Sequence, residues 1–438
     1  MDVNEAKLLI KKYAPRVSAV ILREMTAQRY YEMKNDILYK KEPEDREHAP
    51  LRAADNRVPS AFFPLLIDQK AAYMFSYPPL FDTGFPETNE KLTEALGEGF
   101  ARTCKRLCKA ASFAGIAWLH YWSDGGRFRF TVIGGSQIAP VYDETGEDLR
   151  YVIRMYEKEA EDGKRRVIYE IWDGGSCFYF SRSVSDAGLS GLREEPICFS
   201  AENAEGCNVY RHAFGRPPFI SFANNDRLSD DLSRVKGLID TYDKTYNGFA
   251  DDLEDIQQVV MVLTGYSGTD LAGFLENLKK YKTVKIDDGE GGVSTLNIDI
   301  PVEAREKMLE LTEKAIFTQG QGVDPDPQKF GNASGVALKF LYSLLELKAG
   351  DMQTEFAAGF SALVREICGF YSLPCSGNIE QVWTRNCVRN DEELADIAVK
   401  SRELISTQTM LRNHPFVENA EAELKRLACD EINKRKEG

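Results

Sequence analysis

Histidine is scarce in this chain. Four residues, His48, His120, His212 and His414, serve 438 positions. None stands in H-E-x-x-H. G-x-S-x-G, G-x-x-x-x-G-K-[ST] and a G-x-G-x-x-G between strand and helix are missing too, so the sequence offers no catalytic residue by motif. His120 follows the strand-like run Ala117-Trp118-Leu119 and reads as a satisfied core histidine, while His212 reads as a loop or strand-end residue. The nine cysteines are scattered and contain no C-x-x-C. Cys104 and Cys108, four apart on a helical pattern, lack the second pair or the histidines that zinc would need, so thiols in a reducing compartment are expected. No window approaches 18 consecutive apolar residues, which leaves no membrane-spanning helix. Residues 1–13 lack both an apolar signal core and a small-residue cleavage site. Positive charge is short as well: 55 Lys and Arg against 69 Asp and Glu, a net charge of −14. That balance argues against a tight grip on nucleic-acid phosphates, but not against a surface along which DNA slides.

What the chain does contain is a folded composition, 43% hydrophobic and 28% charged, at a length that suggests two to four domains. Helical spacing runs through residues 1–50, 62–75 and 89–112. From Ile116 the period becomes two. The runs 116–122 and 127–133 flank Asp124-Gly125-Gly126 as a hairpin, and strand patterns follow at 151–156, 166–172 and 177–182.

After Phe222 the chain turns helical. With Ser229 as N-cap, apolar residues at threes and fours from Leu232 to Ile256 predict one helix of about 29 residues, roughly 43 Å long. Nine acidic residues, Asp226, Asp230, Asp231, Asp240, Asp243, Asp251, Asp252, Glu254 and Asp255, dominate its other face, which taken alone reads as a solvated one. Residues 259–299 form a β-α-β-β insert too small for a comfortable core of its own, with strand edges in need of a partner. Pro301 opens a helix to about Gln319. The loop 320–335 holds four glycines, Gly320, Gly322, Gly331 and Gly335, and two prolines, and its length favours a functional role. A helix of about 31 residues then runs to Ile367, with Gly350 as a plausible kink. A strand at 381–388 and helices at 391–405 and 416–436 complete the chain.

The best enzyme-like feature is Asp324 with Asp326 in that loop, a pair that could hold a divalent cation through oxygen ligands. A metal-dependent hydrolase acting through them needs further ligands and a general base that the sequence does not supply. Solvated loop carboxylates are the plainer reading. No cofactor and no metal is expected.

The order of motifs resembles the portal proteins of tailed bacteriophages, of the siphophage type. The pieces are Asn56-Arg57-Val58; Leu66-Ile67-Asp68-Gln69-Lys70-Ala71-Ala72-Tyr73, with Ser76 where a glycine is usual; and Leu238-Ile239-Asp240-Thr241-Tyr242. They continue with Ile300-Pro301-Val302-Glu303-Ala304, Gly320-Gln321-Gly322-Val323-Asp324, Asn332-Ala333-Ser334-Gly335 running into Val336 to Tyr342, Ile405 to Thr409, and Pro415-Phe416-Val417-Glu418.

The resemblance implies an α+β, mainly α, portal architecture assembled as a ring, commonly of twelve copies. An N-terminal wing would span 1–223, the first stem helix 224–258, the clip 259–299 and the second stem helix 300–319. The tunnel loop would be 320–335, a long wing helix and strand 336–390, and a helical crown 391–438. It implies no enzyme but a channel at one capsid vertex through which double-stranded DNA is packaged and ejected without being tightly bound. Terminase, a head-tail connector or adaptor protein, and the major capsid and scaffolding proteins would be its partners. The virion, and the host cytoplasm during assembly, would be its location, with no membrane involved. The DNA-facing loop residues would be Gly320, Gln321, Gly322, Val323, Asp324, Pro325, Asp326, Pro327, Gln328, Lys329 and Phe330. Channel-facing candidates on the stem are Asp240, Asp243, Lys244, Asp251 and Asp252, since an acidic wall repels DNA and lets it slide. Clip interface candidates are Val259, Tyr281, Lys282, Val284, Ile286 and Val293. A capsid scaffold or adaptor without a channel stays open beside this reading.

Overall fold

The first helix, α1 (Val3–Tyr13), begins at Asp2, whose carboxylate accepts a hydrogen bond from Glu5 N at 2.8 Å. Lys11 and Lys12 lie in its last turn, against the negative end of the helix dipole. The computed structural model describes residues 1–41, 54–159, 163–186, 188–189, 191–196, 208–256, 260–264, 292–296, 301–325, 340–386, 396–397, 399–401, 404–413, 417, 423–424 and 426–428. Helices and sheets are mixed, and every strand pairing among the described residues is antiparallel. The chain divides into two compact units. One holds Met1–Gln28, Leu65–Leu232 and Phe317–Gly438; the other holds Arg29–Pro64 and Ser233–Ile316.

The first unit is layered by strand alternation. Strands β2 (Ile116–Asp124) and β3 (Arg127–Gly134) form the expected hairpin, with Gly125 and Gly126 both at positive φ, as a two-residue turn requires. Strand β10 (Phe219–Ala223) completes a three-stranded sheet in the order β10-β2-β3. One face (Ala117, Leu119, Tyr121, Phe222) packs on α5 (Phe100–Ala114) and on the long helix α8 (Ser343–Phe370). The other face (Trp118, Ile133, Phe219) meets a second sheet through Ile138, Val152, Ile168 and Trp172. That sheet runs β4 (Ile138–Tyr142), β5 (Leu149–Glu159), β6 (Arg165–Trp172), β7 (Ser176–Ser183) and β8 (Arg193–Glu194), with β9 (Val209–Arg211) also on β7. Its far face (Ile153, Tyr169, Ile171, Phe178, Phe180) is covered by Ala6 and Ile10 of α1. Both faces of β2 and β6 are therefore buried, which explains their near-continuous apolar runs.

His120 lies between the two sheets, with Nδ1 3.0 Å from Pro218 O and its ring stacked on Phe219. Burial pushes its imidazole down to about 3, so the core reading of this residue is correct. Cys104 and Cys108 are buried thiols on α5, and burial raises both. Among the described residues no helix is long and apolar enough to cross a membrane.

Several elements depart from the expectation. The 89–112 helix is two helices, α4 (Pro86–Leu96) and α5, parted at Gly97, where φ is +73°. The strand expected at 381–388 is only Glu380–Val382, β13, paired with β1 (Leu80–Asp82). Of the long helix expected to run to Ile367, Ser343–Phe370 is described and runs through Gly350. A short helix α9 (Thr407–Asn413) follows, while the two C-terminal helices lie largely outside the described residues.

The second unit carries α6 (Lys236–Ile256), the paired strands β11 (Val260–Thr264) and β12 (Gly292–Leu296), and α7 (Val302–Gln319) as far as Ile316. Helix α6 is shorter than expected because Ser229 is not its N-cap. Asn225 Oδ1 instead accepts from Arg227 N, Ser229 N and Ser229 Oγ, each at 3.1 Å. Leu228 takes a φ of +52°, and Asp231 N donates to Ser112 O at 2.9 Å. Side-chain and distant backbone acceptors thus capture the amides that would have opened the helix. Residues 29–64, read as part of the N-terminal wing, form one compact unit with residues 233–316.

Candidate functional site

The acidic face of α6 is mostly occupied from within its own unit. Asp243, Asn247 and Asp251 are spaced four apart, so they share one face of the helix. An extended segment runs antiparallel along that face. Ser60 N donates to Asp243 Oδ1 at 2.9 Å. Val58 N donates to Asn247 Oδ1 at 2.7 Å, and Val58 O accepts from Asn247 Nδ2 at 2.9 Å. Asn56 N and Nδ2 donate to Asp251 Oδ1 at 2.6 and 2.9 Å. The match is geometric: four helical residues rise about 6 Å and two extended residues about 6.6 Å, so every second strap residue meets every fourth helix residue. This gives the Asn56-Arg57-Val58 signature a physical role that its sequence alone did not disclose.

Asp243 is 1% exposed and also accepts from Asn35 Nδ2 at 2.7 Å. Its expected place on a channel wall is therefore corrected: its carboxylate is spent inside the unit. Asp240 accepts from Lys236 Nζ at 2.7 Å and from the Tyr30 hydroxyl. Lys236 also reaches Asp36. Burial alone would raise Asp36, but its bonds from Lys236 and Arg29 outweigh that and hold the carboxyl at about 2. Asp252 pairs with Arg305 on α7. Lys244, Tyr246, Leu253 and Glu254 remain exposed on α6. Asp230 and Asp231, also expected on a solvated face, are buried.

The root of the loop is equally well held. Helix α7 ends with Gln321 N donating to Thr318 O at 3.3 Å and Gly322 N to Phe317 O at 3.0 Å. Gln321 sits at φ +53°. This is a Schellman cap with a non-glycine residue in the left-handed position. Gly322 is glycine for space, not for a hinge: a Cβ there would stand 2.2 Å from Leu66 Cδ2 and 3.1 Å from Gln69 Oε1. The side chain of Gln69 holds Val323 as a neighbouring strand would, accepting from Val323 N at 3.0 Å and donating to Val323 O at 2.6 Å. Val323 is 7% exposed and belongs to the helix-packed core, so its expected contact with DNA is corrected. Asp324 and Pro325 follow. Asp326, Pro327, Gln328, Lys329 and Phe330 lie outside the described residues, as do Val259, Tyr281, Lys282, Val284 and Ile286. Val293 lies on β12 opposite Leu263.

Gly320 O accepts from Lys348 Nζ at 3.1 Å, and Lys348 lies 3.3 Å from Asp231. The same carboxylate takes Lys70 Nζ at 3.0 Å and Asn224 Nδ2 at 3.1 Å; Lys70 also bonds Asn224 Oδ1 at 2.6 Å and Ser112 Oγ at 3.1 Å. Burial by itself would raise Asp231, but the two ammonium groups hold it far below the usual carboxylate range. Tyr73 donates to Glu346 Oε2 at 2.5 Å. Gln69, Lys70 and Tyr73 thus tie one short helical stretch to the loop root and to α8. Their spacing hinted at a shared patch, but nothing local named the partners. Among the described residues no three His, Cys, Asp or Glu side chains converge as a metal site would require.

The sequence model of the family described as phage portal protein, SPP1 Gp6-like, matches residues 13–437. The portal protein of Clostridium phage phiCD119 is 40% identical over 437 residues, covering 96% of this chain and 94% of that protein. The portal protein of Bacillus phage SPP1 is 28% identical over 425 residues, covering 92% and 82%. A chain of a solved structure entitled "Neck of native GTA particle computed with C12 symmetry" is 13% identical with a TM-score of 0.46, covering 85% of this chain and 93% of that one.

Proposed function

Because the chain belongs to the SPP1 Gp6-like family of phage portal proteins, we propose that its copies close into a ring, commonly of twelve, around an axial channel at one capsid vertex. Double-stranded DNA enters through that channel during packaging and leaves by it at infection. The observation that carries this reading is the family match along nearly the whole chain. The net charge of −14 supports it, because a wall rich in Lys and Arg would hold the polymer through counterion release.

The occupied stem face refines the mechanism. Asp240, Asp251 and Asp252 are each paired or hydrogen-bonded, so their acidity is spent within the unit. Among the described residues of α6 and α7 the exposed charges are Glu254, Glu303, Glu306 and Glu310 against Lys244, Lys307 and Lys314, a near balance that gives DNA little to grip. Residues 259–299 would form the clip that meets terminase and later the head-tail connector, and residues 391–438 the crown. The wing would face the major capsid and scaffolding proteins. Residues of the loop beyond Val323 would be those that meet DNA by shape. Assembly would take place in the host cytoplasm.

Native mass measurement and negative-stain imaging of the purified protein, together with imaging of the capsid vertex, test the proposal. A closed ring with an axial hole is expected. Monomers or open chains in solution, together with a vertex lacking such a ring, would overturn it.

A further inference from the structure

We infer that Gln69 and Lys348 are positioning residues that fix the root of the loop, residues 320–323, so that no hinge lies at Gly320 or Gly322. The inference rests on the channel reading for the loop's purpose, but the restraint itself is a matter of local geometry. Four successive residues are each held in a different way. Gly320 O is bound by Lys348, and Gln321 closes the cap of α7. A Cβ at Gly322 would require the Leu66 side chain to shift, and Val323 has both backbone groups taken by one side-chain amide. A hinge at Gly322 would have to break the pairing at Val323.

The anchors are themselves fixed. Gln69 lies one residue before Lys70, which is 0% exposed and bonded to Asp231, Asn224 and Ser112. Lys348 is 7% exposed beside the same Asp231. Two ammonium groups share that one carboxylate, so neutral acceptors matter to them, and Gly320 O is one such acceptor. Moving the loop root would therefore withdraw an acceptor from a buried cation, which costs far more than breaking a solvated bond. The loop root is in this way tied to helix α8 and to the end of β10.

The test uses amide hydrogen exchange on the assembled protein, with packaged-DNA yield from particles built with each variant. In the parent, the Gly322 and Val323 amides should exchange slowly. Gln69→Leu should speed exchange at Val323 by about tenfold, the scale of one lost hydrogen bond, while leaving ring assembly intact and lowering packaged DNA. Gln69→Glu keeps the acceptor for Val323 N but repels Val323 O, so it should give an intermediate result. Lys348→Met, which leaves Lys70 and Asp231 as a one-to-one pair, should loosen Gly320 and Gln321 and also lower packaging. Fast exchange at Val323 in the parent would overturn the inference. So would unchanged exchange in Gln69→Leu, or faster exchange with undiminished packaging. A parent that forms no ring would instead defeat the channel reading, and the exchange data would still decide whether the root is clamped.

Discussion

Replacing Asp231 by Asn should be among the most damaging single changes in the first unit. The carboxylate is 5% exposed and lies 3.0 Å from Lys70 Nζ and 3.3 Å from Lys348 Nζ. Asp231→Asn keeps the shape and the backbone bond from Asp231 N to Ser112 O, yet removes the negative charge that both ammonium groups share. Taking one partner from a buried ionic cluster costs about 3–5 kcal/mol, which for a unit of this size lowers the melting temperature by about 6–10 °C. All four tryptophans, Trp118, Trp122, Trp172 and Trp383, lie in this unit, so fluorescence-detected melting reports on it directly. Lys348→Met is the informative contrast. It removes one of the two cations beside Asp231 and leaves Lys70 paired with that carboxylate, so its cost should stay below about 2 kcal/mol. The pH dependence has a defined sign. Asp231 is held well below its ordinary value, so the native state binds fewer protons there than the unfolded chain does. Its stabilisation is complete above the unfolded pKa of about 3.9 and is lost as pH falls through the folded value. The variant should lack that part of the acid sensitivity. Melting of Asp231→Asn within 2 °C of the parent, on the same scale of about 2 °C per kcal/mol, would refute the argument, as would equal damage from Lys348→Met.

Two further outcomes follow from buried groups elsewhere. Asp243→Ala strips the acceptor from Ser60 N and from Asn35 Nδ2. Exchange at the Ser60 amide should rise about tenfold to a hundredfold, the worth of a charge-assisted bond of ~1.5–3 kcal/mol, while Val58, held by Asn247, serves as the internal control; equal exchange at Ser60 in parent and variant would sink the strap reading. His120 is neutral when folded and is depressed to about 3 by burial. Its stabilisation is therefore full above an unfolded value of about 6.5 and is lost as pH falls from there toward 3. His120→Phe should flatten the melting profile across that window, and an unchanged profile would place the acid sensitivity elsewhere.

Much of the fold was legible because it is periodic. Alternation along 116–122 and 127–133, with Gly125 and Gly126 between, specified the β2–β3 hairpin, and threes and fours specified the helices. Family motifs in order pointed to the portal architecture. Side-chain partners were not legible. Asp243 and Asp251 look the same in a sequence whether they face water or a strap nearly two hundred residues earlier. Gly322 looks like a hinge until Leu66 is found beneath it, and Ser229 looks like an N-cap until Asn225 takes its amide. The first helix of the stem-like pair begins late for the same reason. Periodicity is a property of neighbouring residues and survives in the bare sequence. A buried carboxylate's role depends on which distant donors the fold brings to it, and only the folded chain sets those distances.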